Sequence, residues 1–392
     1  MGTKELPRPE DLRDCNHAVA GHAGTMCDVD GEFFIKPCTQ SEIDFYTSVS
    51  QSPARKRSRK LKYNLEDIMP LFMGTLTLTD PSISDLDDAL AGVTSEEGNL
   101  QAAATEQIVA TVREQMANRH VGPQAAANDA YDAWTPSKGK KIKTDKAVVL
   151  ENVTHGFQCA NILDVKLGVR LWADDAPQKK KDRFTKISAE TTHATLGFRI
   201  AGMRVYRGSE DASDLDDEGF KIYDKDYGRL SVNEGNVVEA LRRFVFNKGA
   251  RITKEMGQKV CEAFLRDLET VHDVLSNYDT RMYSTSLLFV FEGDGDALQK
   301  AFDENEAFVR AAKTRASSLQ STRRFDSGIG FDDDEELYDS DLEDVVAAVP
   351  KIYTLKLIDF AHASWAPGQG PDENILMGVR SLKKIFRKMA ED

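Results

Sequence analysis

Long apolar runs are missing from this chain of 392 residues: the longest strongly apolar stretch, Leu287 to Phe291, is far short of the ~18 residues needed to cross a bilayer. The opening residues MGTKELPRPEDLRD also hold no apolar core of a secretion signal, so the expectation is a soluble, intracellular protein without a transmembrane segment. Cysteine is scarce. Cys15, Cys27, Cys38, Cys159 and Cys261 are scattered with no C-x-x-C pair, which argues against a zinc site and reads as structural or incidental thiols in a reducing compartment. Positive charge is short too, with 51 Lys and Arg against 65 Asp and Glu and a net charge of −14. That balance argues against a general binder of nucleic acid or anionic membranes, which would carry a basic surface. An apolar share of 41% suits a globular protein with room for a core and a cleft, whereas 30% charged residues indicate that part of the chain is not packed.

The acidity is local. Residues 80–137 hold ten acids against two bases in a stretch rich in Ala, Gly, Ser and Gln, and residues 294–344 hold fifteen against six, leaving +3 for the rest of the chain. Both stretches read as disordered insertions, because such compositions bury too little apolar surface to offset chain entropy. Ile108, Val112 and Met116 recur every four residues and allow some helix in the first. RKRSRK at 55–60 reads either as a nuclear-import patch or as a charged loop.

Between these segments the patterning falls into two groups. Up to about residue 155, the β-like runs GEFFIKP, GTLTLT and KAVVLENVT dominate, with one helix-compatible segment, SEIDFYTSV, from about Ser41. Residues 156–392 carry β-like NILDVKLG, a Lys-rich helix, LGFRIAGMRVY, an amphipathic helix over about 253–276, YSTSLLFVFEG and KIYTLKLIDFAHA, and a last helix from about Asn374. The order predicts an α+β protein of two lobes, 1–155 and 156–392, and a cleft between lobes is a common ligand site.

Several residues could carry chemistry. Glycines in AGHAG, residues 20–24, permit close approach of backbone to phosphate, while a strand-borne Lys36 can neutralise phosphates and a helix-borne Glu42 can fix its ammonium. A glycine turn beside a surface ion pair fits as well. Asp164 and Lys166, two apart on an extended segment, face one side, either as a phosphoryl-handling pair or as an exposed salt bridge. Asp359 ends an apolar run, where a carboxylate is a plausible Mg²⁺ ligand, and His362 follows three residues later. In KKKDRFTK, Lys179, Arg183 and Lys186 share a helical face, with Lys180 and Lys181 beside them.

Together these motifs resemble the inositol polyphosphate kinase family. Its P-x-x-x-D-x-K-x-G signature appears as Ala160 to Gly168, its S-S-L-L as Thr285 to Leu288 and its I-D-F as Ile358 to Phe360, in the family's order. Ala160 and Thr285 depart from the pattern without removing a charge. The form NILD-x-KLG, with a Lys-rich segment and ETT before LGFRI, looks most like the fungal multikinase branch. The resemblance implies a protein-kinase-like ATP cleft between a β-rich N-terminal lobe and a larger α+β C-terminal lobe, with an inositol-binding segment over 172–192. Lys36 would hold nucleotide phosphates under Gly21 to Gly24, with Glu42 orienting it. Glu151 and Val153 would bond adenine through their backbone, and Asp164 would bind the ribose. Lys166 would serve the transferring phosphoryl group and the acceptor, Asp359 the Mg²⁺, and Ser286 would help from behind. Lys179, Lys180, Arg183, Lys186 and His362 would hold the inositol phosphate. The implied reaction is ATP-dependent phosphorylation of soluble inositol phosphates, from inositol 1,4,5-trisphosphate to the pentakisphosphate. A hexakisphosphate kinase, or a transcriptional scaffold with nuclear partners, are the alternatives; nucleus and cytoplasm are the expected locations.

Overall fold

A computed structural model describes residues 6–8, 11–15, 24–51, 62–78, 144–322 and 350–392, with the side chains of 312–322 left out. The chain divides into two compact units, 1–76 with 137–392 and 77–136. The first acidic stretch, the RKRSRK segment and Gly21 lie outside the described residues.

The N-terminal lobe is a five-stranded antiparallel sheet in the order β1-β2-β3-β5-β4, built from β1 (Arg13–Asp14), β2 (Met26–Cys27), β3 (Phe33–Pro37), β4 (Phe72–Thr77) and β5 (Lys146–Glu151). On β3, burial alternates: Phe33, Ile35 and Pro37 are buried, so Phe34 and Lys36 take the other face. Helix α1 (Gln40–Gln51) buries Glu42, Ile43, Phe45, Tyr46 and Val49, spacings that place them on one stripe. Glu42 thus sits on the apolar face of its helix, where a carboxylate persists only if paired. Cys15 and Cys27, expected to be free thiols, are joined as a disulfide with Cα atoms 5.3 Å apart, because Cys15 pairs through its amide with Thr25 beside β2. Cys38, Cys159 and Cys261 are free.

The C-terminal lobe is a second antiparallel sheet, β11-β10-β6-β7-β8, backed by helices. Its strands are β6 (Ala160–Leu167), β7 (Phe198–Tyr206), β8 (Phe220–Tyr223), β10 (Ser286–Glu292) and β11 (Tyr353–Ile358), while β9 (Thr280–Met282) pairs with β12 (Ala363–Trp365). The helices are α2 (Gln178–Ala189), α3 (His193–Leu196), α4 (Val237–Val245), α5 (Lys254–Leu275), α6 (Gly295–Thr322) and α7 (Glu373–Glu391). Leu287, Phe289 and Phe291 alternate along β10 into the core, where Phe289 meets Phe264 of α5 at 5.1 Å and stacks on Phe386 of α7 at 5.2 Å. Each such buried ring contributes about 1.5–3 kcal/mol. The same alternation puts Asp164 and Lys166 of β6 on the opposite face, where Lys166 pairs in register with Ser286. That second face is the floor of the site.

The acidic stretch from 294 has the composition of a disordered insertion, yet its first half is helix α6. Leu298 and Ala301 are buried and Phe302 packs on the core, a three-to-four-residue spacing that gives one apolar stripe while the acids face solvent. Residues 323–349 lie outside the described residues.

Candidate active site

The site gathers around Asp359, which follows the last residue of β11. One carboxylate oxygen accepts from Lys36 Nζ at 2.7 Å and the other from Lys166 Nζ at 3.3 Å. Lys36 also donates to Glu42 Oε1 at 2.8 Å, and Lys166 to Ser286 Oγ at 3.1 Å and to the Ser284 carbonyl at 2.8 Å. Burial works against the Lys36 charge, but Asp359 and Glu42 outweigh it and hold the ammonium well above its ordinary value. Burial would likewise raise Asp359, yet Lys36 and then Lys166 hold its carboxyl well below the usual range. Lys36 and Asp359 therefore form a charged pair, and Asp359, also within reach of Lys166, keeps 30% of its side chain exposed.

Phe360 anchors this centre. It is fully buried, stacked on Phe45 at 5.1 Å and edge-on to Tyr46 at 5.2 Å, and its amide donates to Glu42 Oε1 at 3.1 Å. Trp365 stacks on Phe45 at 5.7 Å and donates from its indole to Ser48 Oγ at 2.8 Å. Helix α1 is thus tied to the strand end that carries Asp359.

Asp164 is 4% exposed, and its Oδ1 has no partner among the described residues. Burial pushes its carboxyl upward, against the pull of Lys166, while Asp359 adds to the rise. Arg199, which pairs in register with Lys166 from β7, is buried nearby and donates to the Ile200 and Lys225 carbonyls. At the end of β5, the Glu151 amide donates to the Leu71 carbonyl at 2.9 Å and its carboxylate lies 3.5 Å from Lys356. Asn152 is buried, with its amide on the Glu32 carbonyl and its side chain on Gly31. The Val153 amide beyond it has no hydrogen-bond partner among the described residues.

Helix α2 carries the basic run, with Lys180 on its inner side: Lys180 Nζ lies 3.0 Å from His362 Nε2. With the ammonium donating, Nε2 accepts and the imidazole is neutral. Arg183 is half-buried, whereas Lys179 is exposed and Lys186 reaches outward to Glu190 at 3.7 Å. The structure brings together Lys36, Glu42, Lys166, Ser286 and Asp359, and Lys180 with His362. Gly24 is described at φ 97°, a conformation that glycine adopts freely.

Some contributors carried no motif signal of their own. Trp172 holds α2 in place: its indole donates to Thr185 Oγ1 at 3.1 Å, and Arg170 lies 4.0 Å above its ring. Asn374 accepts from the Val169 and Arg170 amides at 2.9 and 2.8 Å, fixing the chain after Gly168. Asparagine near a helix start is a generic capping signal that names no such partner.

A small sheet with one helix, a larger sheet-and-helix lobe and a lysine–carboxylate–lysine centre define a two-lobed phosphotransferase. A family model described as inositol polyphosphate kinase matches residues 147–387, and the chain belongs to that family. It is 28% identical over 388 residues to the inositol polyphosphate multikinase of Saccharomyces cerevisiae, covering 96% of this chain and 98% of the relative. It is 30% identical over 257 residues to inositol hexakisphosphate kinase 3 of Mus musculus, covering 64% of this chain and 52% of that protein. A crystal structure of an inositol phosphate multikinase from S. cerevisiae in complex with ADP and Mn²⁺ aligns with a TM-score of 0.56 at 23% identity, over 91% of this chain and 99% of that one, and shares the fold.

Proposed function

We propose that this protein is an ATP-dependent inositol polyphosphate multikinase, phosphorylating inositol 1,4,5-trisphosphate and the tetrakisphosphates to the pentakisphosphate. The observation that carries the reading is Asp359 held between Lys36 and Lys166, with Lys180 and His362 beside them. In the transfer, an inositol hydroxyl oxygen bonds to the γ-phosphorus as the bond to the β,γ-bridging oxygen breaks, ADP leaves and the hydroxyl proton is lost. Such transfers need in-line placement and neutralised oxygen charge rather than a strong base. Lys36, oriented by Glu42, neutralises nucleotide phosphates. Lys166 serves the moving phosphoryl group and Ser286 positions Lys166. The Glu151 carbonyl and Val153 amide take adenine, and Asp164 takes the ribose. A trisphosphate brings about −4.5 to −6 of charge, which Lys180, Arg183, Lys179 and Lys186 meet, with His362 beside the ring.

Asp359 fits a divalent cation. Mg²⁺ takes one or two carboxylates plus phosphate oxygens rather than an all-protein cage. Asp359, with part of its side chain exposed, supplies such an oxygen. Bound there, Mg²⁺ would neutralise phosphate charge.

The test is product analysis of purified protein with ATP, Mg²⁺ and a panel of inositol phosphates. Higher phosphates from the trisphosphate are expected; pyrophosphates from the hexakisphosphate alone would favour the second reading, which rests on the 30% identity to a hexakisphosphate kinase. No product from any member would sink both. A nuclear and cytoplasmic location and a nuclear transcription-factor partner are part of the proposal, supported by RKRSRK and the acidic stretch 80–137. Partner binding unchanged on deleting 80–137 would remove that stretch from the docking role.

A further inference from the structure

The residue that would hold the metal sits in a backbone conformation it would not choose alone. Asp359 has φ 67°, in the left-handed region that costs a non-glycine residue about 1 kcal/mol or more. Two buried groups hold it there from either side. Thr285, fully buried, donates from Oγ1 to the Asp359 carbonyl at 3.1 Å, and Glu42 accepts from the amide of the next residue, Phe360, at 3.1 Å.

Thr285 belongs to a turn that touches Lys166, Asp359 and His362. Ser284, itself at φ 59°, points its carbonyl at Lys166 Nζ, 2.8 Å away. The Thr285 carbonyl accepts from the Leu167 amide at 2.8 Å, Ser286 Oγ accepts from Lys166, and the Tyr283 amide donates to the His362 carbonyl at 3.2 Å. Within this turn, among the described residues, the Thr285 hydroxyl is the group bonded to the Asp359 carbonyl.

We infer that Thr285 is a positioning residue for metal binding: its hydroxyl, opposite Glu42, locks the left-handed Asp359 peptide so that the carboxylate stands between Lys36 and Lys166. The inference rests on the reading of Asp359 as the metal-holding residue. Without the hydroxyl, the Asp359 carbonyl loses its partner and the peptide can relax, moving the carboxylate from its place between the lysines. Serine supplies the same hydroxyl from the same atom, whereas valine copies the shape of threonine without it.

The test compares full-length wild type with Thr285→Val, Thr285→Ser and Asp359→Asn, by calorimetric titration of ADP with and without Mn²⁺ and by turnover across a Mg²⁺ series. In Thr285→Val the Mn²⁺-dependent gain in ADP affinity should fall about tenfold and half-saturating Mg²⁺ should rise about as much. ADP affinity without metal and the ATP KM at saturating Mg²⁺ should stay within about twofold, and Thr285→Ser should match wild type on both readouts within about twofold. Should Thr285→Val not melt cooperatively, Thr285→Ala is read in the same way. Wild-type metal dependence in the variants lacking the hydroxyl overturns the inference, and so does a serine variant as impaired as the valine one. An Asp359→Asn protein that keeps the full Mn²⁺ effect overturns the metal reading beneath it; one that loses the effect while Thr285→Val retains it overturns the positioning role alone.

Discussion

Lys36 and Asp359, 323 positions apart in the chain, meet at 2.7 Å, and the second Asp359 oxygen lies 3.3 Å from Lys166. Replacing Asp359 by asparagine keeps the shape and removes the charge between two ammonium groups. Turnover should fall by about 10²–10⁴, the scale of lost electrostatic preorganisation. Circular dichroism should stay native, since the side chain is partly exposed and the core rings do not depend on it. A variant that turns over at the wild-type rate contradicts the role.

Glu42 makes a different prediction because it is 2% exposed and serves two donors at once, Lys36 Nζ and the Phe360 amide. Glu42→Ala leaves both donors short of an acceptor in a buried setting and should destabilise the fold by about 2–3 kcal/mol, read from urea midpoints. Activity should fall with it, whereas Glu42→Gln, which keeps the acceptor oxygen, should recover most of the stability and less of the activity. Equal stability of the alanine variant and wild type would show that the two bonds carry nothing.

Much of this arrangement was legible in the sequence. The two-residue spacing of Asp164 and Lys166 set both on one face of a strand, the apolar run before Asp359 was indeed a strand, and SEIDFYTSV was helix α1. What was not legible depends on long-range packing. That Thr285 bonds the Asp359 carbonyl follows from the register of β10 against β11, which no local pattern encodes. Helix α6 was missed because its acids lower mean hydropathy while Leu298, Ala301 and Phe302 still form a stripe. A helical wheel grouped Lys179, Arg183 and Lys186, but could not say that Lys180 was the lysine turned toward His362.

That last difference is measurable. Lys180→Ala should raise the KM for the inositol phosphate about tenfold, since it removes a partly buried cation beside the acceptor site, while the ATP KM stays within about twofold. Lys186→Ala, whose side chain is 75% exposed, should change it about twofold, and that smaller effect should vanish at high salt. Equal effects at the two positions would mean that the acceptor is held by diffuse charge rather than by the inner side of α2.

His193 gives the pH prediction. It opens α3 fully buried, with Nδ1 at 2.7 Å from the Gly168 carbonyl and Nε2 unpartnered among the described residues. Burial and the Arg199 charge push its imidazole down to about 3. An unfolded chain protonates the same ring near ~6.5. Between those values the unfolded state binds one more proton than the folded state, so stability must fall as pH drops through that window, by up to about 1.4 kcal/mol per pH unit. In His193→Gln this titration is gone. From pH 7 to pH 5, wild type should therefore lose about 2 kcal/mol more unfolding free energy than the variant, whatever the variant's absolute stability. Parallel stability curves would mean that the ring takes up its proton in the folded state as readily as in the unfolded chain, against the burial and the Arg199 charge that disfavour it.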